Sequence, residues 1–89
     1  MAEPYKRLET VQRGNCVFTI ATFIEGGFQE IFVTAKTPSS VLDSQIKIFQ
    51  HYNDTPVVYR LYQGRWYIER ELKGESIDTM SDSRLIALV

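Results

Sequence analysis

Between Cys16 and Ile24 the chain is dense in β-branched and aromatic residues; Glu25, Gly26 and Gly27 interrupt it, and Phe28 to Ala35 resumes the same texture. The pattern predicts a β-hairpin with Gly26 and Gly27 as a two-residue turn, so that Glu25 opposes Phe28. Alternation then sends Phe18, Ile20, Ile24, Ile31, Val33 and Ala35, with Thr22 and Gln29, to a core face. The other face receives Val17, Ala21, Phe23, Phe28 and Phe32 among Thr19, Glu25, Glu30 and Thr34, a mixture too apolar for plain solvent.

Thr37, Pro38, Ser39 and Ser40 follow. They read as a helix start, with Thr37 as N-cap and Pro38 in the first helical position. Leu42, Ile46 and Phe49 keep i, i+4, i+7 spacing, which predicts an amphipathic helix packed on the sheet. Asn53 and Asp54 suit its left-handed end, and Pro56 prevents continuation. Val57 to Tyr62 and Arg65 to Leu72 predict a second hairpin around Gln63 and Gly64. In it Leu61 faces Trp66, Tyr59 faces Ile68 and Val57 faces Arg70 on an expected core side. Tyr62 with Arg65, Arg60 with Tyr67 and Val58 with Glu69 lie outward.

The expected fold is therefore α+β, a small antiparallel sheet of two hairpins in the order β-β-α-β-β with one helix on one face. Residues 1–89 form one compact domain: a polar N-terminal arm over 1–15, a core over 16–72 and a C-terminal extension over 73–89. The apolar end Leu85, Ile86, Ala87, Leu88, Val89 is read as a fifth strand or a short helix.

A formal net charge of −1, ten basic residues against eleven acidic, supplies no overall field toward nucleic acid or anionic membrane. A lone cysteine, Cys16, and an N-terminus without the apolar run of a signal peptide lead to the expectation of a cytoplasmic protein. The longest apolar stretch, Cys16 to Ile24, is roughly half of what a spanning helix needs.

Catalysis needs a nucleophile, an acid–base group or a metal held in mutual geometry. One His and one Cys, His51 and Cys16, on different elements, do not make a zinc set. Gly26 and Gly27 sit between strands and have no phosphate-loop lysine after them. Glu69 and Glu71 allow a carboxylate pair, but a solvated edge accounts for them better. The expectation is a non-enzyme with no cofactor and no metal.

Two clusters remain as partner-binding candidates. Phe23, Phe28 and Phe32 place three rings on one outward face, where they meet a protein partner, bring two copies together as a homo-oligomer, or are covered by the N-terminal arm or residues 85–89. Arg60, Tyr62, Arg65 and Tyr67 combine aromatic area with planar donors on the second hairpin. This points to a protein-binding module, with a single-stranded nucleic-acid binder as the alternative and a motif-free enzyme or ligand-binding fold as a second alternative. The strand, strand, helix, strand, strand layout of residues 16–72 resembles compact inhibitor proteins encoded by bacteriophages, among them anti-CRISPR proteins and phage inhibitors of RNA polymerase. That resemblance implies an inhibitor or adaptor of a larger host machine, acting in the host cytoplasm.

Overall fold

The structure is a computed structural model that describes the backbone of residues 6–25, 27–37 and 40–89, and the side chains of these except at 25 and 40–44. The described residues form one antiparallel sheet of six strands in sequence order: β1 (Arg7–Arg13), β2 (Cys16–Glu25), β3 (Phe28–Thr37), β4 (Ser40–Tyr52), β5 (Thr55–Tyr62) and β6 (Arg65–Glu71). A 3-10 turn, Ile77–Thr79, and the short helix α1, Asp82–Ala87, follow.

The first hairpin has the expected register, with Glu25 opposite Phe28, Ile20 opposite Val33 and Phe18 opposite Ala35. Phe18, Ile20, Thr22, Ile31, Val33 and Ala35 are buried as assigned, whereas Ile24, at the end of its strand, is 53% exposed.

The expected order β-β-α-β-β with a packed helix is overturned, because the segment read as a helix is the longest strand, the 13-residue β4. Ile46 and Ile48 alternate with Lys47 and Phe49, and both faces of this strand meet apolar neighbours across β3. A strand apolar on both sides leaves a mixed pattern that imitates a helical stripe, and its β-branched residues favour the pleated surface. Thr37, the expected N-cap, closes β3. Pro38 and Ser39 lie outside the described residues, as does the side chain of Leu42. Asn53 and Asp54 do take positive φ, 50° and 63°, but as the turn of the β4–β5 hairpin. Two successive positive φ values are the mark of a type I′ turn, whose twist matches the strands it joins.

The polar arm over 1–15 is also corrected, since residues 7–13 form β1, paired along its whole length with β2. Gly14 and Asn15 make the connecting turn, with a positive φ at Gly14 only. Glycine in the first central position suits a II′ hairpin. Of the two readings of the C-terminal end, the short helix is observed. Ser81 caps it, its hydroxyl accepting from the Arg84 backbone N–H at 3.2 Å.

One face of β1–β5 and the C-terminal segment enclose the core. Phe49 (fully buried), Ile20, Val33 and Val58 pack with Leu72, Ile77, Leu85 and Leu88. Polar contacts fasten the cover. Arg7 of β1 donates to Asp82 at 2.8 Å, and Arg84 clasps Glu75 through two bonds of 2.9 and 3.1 Å. That bidentate bond, from Arg84, holds the Glu75 carboxyl below its ordinary pKa.

Phe49→Ala is expected to cost about 3–5 kcal/mol in chemical denaturation, because it empties the centre of the core. Glu75 has a depressed folded-state pKa, so its contribution is fully present above the ordinary carboxylate range and is lost as pH falls through the depressed value. Glu75→Gln is expected to melt slightly below the wild type at neutral pH, and the two melting curves should merge in acid.

Candidate functional site

The tight turns oblige paired residues to share a face, so the position of every side chain follows from the register. Tyr59 lies opposite Ile48, Ile48 opposite Phe32, and Phe32 opposite Ala21. This row defines the face turned away from α1. Phe23, Phe28 and Phe32 all belong to it. The Phe23 and Phe32 rings meet edge to face at 5.0 Å and are half-buried, while Phe28, at the hairpin end, is 56% exposed.

Across the sheet, Phe49 lies opposite Val58 and Lys47 opposite Arg60, which puts Arg60, Tyr62, Arg65 and Tyr67 on the core side. The expected assignment of the second hairpin is therefore inverted from Tyr59 to Ile68, whereas Val57, expected inside, is buried at 1% exposure. Leu61, Trp66 and Ile68, expected in the core, are 39–46% exposed on the same face as the Phe rings. The Tyr/Arg cluster lies on the covered side of the sheet but beyond the cover, since every residue from Arg60 to Glu71 is exposed. The two candidate clusters thus occupy opposite faces. Only in the first do the three rings gain companions, namely Ile46, Ile48, Tyr59, Leu61, Trp66 and Ile68.

Neither terminal segment covers this open face among the described residues: Leu85 and Leu88 pack into the core on the other side, and Leu8, opposite Ala21, is itself exposed. An apolar sheet face with no cover is the ordinary signature of a contact surface.

The expected pairing of β5 with β6 holds for Tyr62–Arg65, Leu61–Trp66, Arg60–Tyr67 and Tyr59–Ile68, then slips by one residue, so that Val58 meets Arg70 and Val57 meets Glu71. The slip is a β-bulge at Glu69. Alternation from Tyr67 puts Glu69 on the core side, where its carboxylate bonds the ammonium of Lys47, a residue only 8% exposed, and the bulge brings Arg70 opposite Val58 on that same side. Glu69 is thereby committed to an ion pair, and Glu71 points to the opposite side near Lys73, 3.6 Å away. The carboxylate pair considered for Glu69 and Glu71 is not assembled.

Cys16 and His51 stand at opposite ends of the sheet, one beside the β1–β2 turn and the other beside the β4–β5 turn. His51 packs against Phe28, with ring centroids 5.8 Å apart. Among the described residues no group of three His, Cys, Asp or Glu side chains is placed to hold a metal ion. On the Tyr/Arg side, the Arg60 guanidinium lies 5.1 Å from the Tyr62 ring centroid, a cation–π arrangement. A cleft of about 440 Å³ opens between this cluster and the end of α1, lined by Lys47, Arg60, Glu69, Arg70 and Leu88 among others. Lys6, Arg7 and Arg13 are at the far edge of the sheet, so the fold does not bring them to the Tyr/Arg cluster.

No protein-family model, curated protein or solved structure matches the chain. Among the described residues, no helix is long and apolar enough to cross a membrane. The residues that sequence reasoning misplaced, Leu61, Trp66 and Ile68, carried one usable signal: period-two alternation on both strands, which fixes partners but leaves open which side is wet.

Glu69→Leu is expected to destabilise the protein by roughly 1–3 kcal/mol in urea unfolding, because it leaves the Lys47 ammonium buried without its counter-charge. Adding Lys47→Met to that variant should restore most of the loss.

Proposed function

We propose that the chain is a non-enzymatic protein-binding module that works by occupying the surface of a partner protein. The observation that carries this reading is the open sheet face. Phe28, Leu61, Trp66 and Ile68 are exposed there, and the half-buried Phe23, Phe32 and Tyr59 fix the platform beneath them. Exposed aromatics held on a rigid sheet lose little conformational entropy on docking and commonly carry most of an interface's energy. A reducing compartment such as the cytoplasm suits the free thiol of Cys16.

Arg60, Tyr62, Arg65 and Tyr67 form a smaller second contact on the opposite side, at the projecting end of the hairpin. The single-stranded nucleic-acid alternative draws on the same four residues, but it needs phosphate-neutralising charge beside them. The separation of Lys6, Arg7 and Arg13 from this cluster and the presence of Glu69 within it weigh against that reading. The likeness to phage inhibitors rested on a layout with a central helix, and it falls with that layout.

The test pairs binding with folding. Phe28→Asp and Leu61→Glu, both exposed and both off β6, are expected to abolish capture of the partner that the wild-type chain retains from its native lysate. Circular dichroism and melting temperature should be preserved. Retention of the same partner by both folded variants would overturn the assignment of the open face.

A further inference from the structure

The two edges of the sheet differ in kind. β1 presents Arg7, Glu9, Gln12 and Arg13, the charged and polar rim that discourages strand addition. β6 carries Trp66, Tyr67 and Ile68 at its centre, all exposed, and beyond Arg60, which pairs with Lys47 of β4, the hairpin continues past the β4 pairing through Leu61 and Trp66.

The backbone phase of that edge follows from the hairpin. Tyr62 and Arg65 close a two-residue turn as a hydrogen-bonded pair. Because such pairs alternate, Arg65 and Tyr67 direct their N–H and C=O groups toward β5, and Trp66 and Ile68 direct theirs toward the free edge. An added antiparallel strand must bond these outward groups, and the residues it sets opposite each other must share a face.

One partner meets both conditions: a second copy of β6. With a two-fold axis through Tyr67, Trp66 lies opposite Ile68 of the second copy, Tyr67 opposite Tyr67, and Arg65 opposite Glu69. Trp66 and Ile68 are both on the open face. Arg65, Tyr67 and Glu69 all lie on the core side by alternation, and there Glu69 bonds Lys47. Each pair then agrees in face and character, apolar against apolar and cation against carboxylate, and Trp66 and Ile68 exchange reciprocal backbone hydrogen bonds. The Glu69 carboxylate has acceptor capacity for both Lys47 and the incoming Arg65. The neighbouring registers lack this agreement. An axis through Trp66 sets Ile68 against Gly64, and one through Ile68 sets Trp66 against Arg70, which the bulge has moved to the other face.

We propose that β6 is a self-pairing edge through which two copies join antiparallel, about an axis at Tyr67, into one continuous sheet. The axis runs perpendicular to the sheet, so the two open faces come to lie on the same side and form one doubled docking surface. Self-association therefore uses the edge of the sheet and not the Phe23, Phe28 and Phe32 face. This proposal stands independently of the protein-binding reading.

The Cα atoms of a non-hydrogen-bonded antiparallel pair are about 4.5 Å apart, within disulfide range. In a Cys16→Ser background, Tyr67→Cys should therefore oxidise to a disulfide-linked dimer in nearly full yield, and Leu8→Cys on β1 should stay monomeric. Sedimentation of the wild type should show a concentration-dependent doubling of mass. Ile68→Pro, which removes an outward N–H, should lose that doubling while its circular dichroism is retained. Wild type that keeps the monomer mass at all concentrations, or Tyr67→Cys linking no faster than Leu8→Cys, would overturn the proposal. Phe28→Asp should dimerise normally, so loss of partner capture in that variant and loss of the dimer are separate results.

Discussion

The structure depends on period-two alternation locked by two-residue turns. Gly14–Asn15, Asn53–Asp54 and Gln63–Gly64 join β1 to β2, β4 to β5 and β5 to β6 without slack, and the pairing of β2 with β3 and of β3 with β4 carries the same face across each row. Phe49 therefore shares its side with Ile31, Val58 and the C-terminal segment, and Ile48 shares the other with Phe32 and Tyr59. Among the described residues the C-terminal segment covers one face only, and Phe28, Leu61, Trp66 and Ile68 are exposed on the other.

Local turn chemistry was legible in the sequence. The first hairpin was readable to the residue, because glycine pairs tolerate few alternatives and alternation extends from the turn in both directions. The same chemistry was visible at Asn53 and Asp54, where the positive φ was foreseen and attached to the wrong element. What hid β4 was its burial. Ile46 and Ile48 on one face and Phe49 on the other blur the contrast that distinguishes strand from helix, and Thr37–Pro38 resembles a helix cap. β1 was hidden by the opposite circumstance, for an edge strand facing water on most positions looks like a polar arm, and only the Gly14–Asn15 dipeptide signals the turn.

The candidate residues were legible as a set and not as a surface. Phe23, Phe28 and Phe32 were recognisable as sharing a face because their register is local. The sidedness of Leu61, Trp66 and Ile68 depends on how β5 is laid against β4, a long-range pairing that alternation within one hairpin does not encode. The bulge at Glu69 is likewise invisible locally. It exists where the buried Lys47 ammonium receives a counter-charge, and it shifts the register of everything beyond it.

These constraints converge on Trp66, the single tryptophan of the chain, placed on the open face at 43% exposure. Acrylamide quenching of its fluorescence, in dilute protein without a partner, tests the account most directly. Red-shifted emission with ready access of the quencher to the indole is the predicted result. Blue-shifted emission with strong protection from quencher would put Trp66 in a core and contradict the existence of the open face.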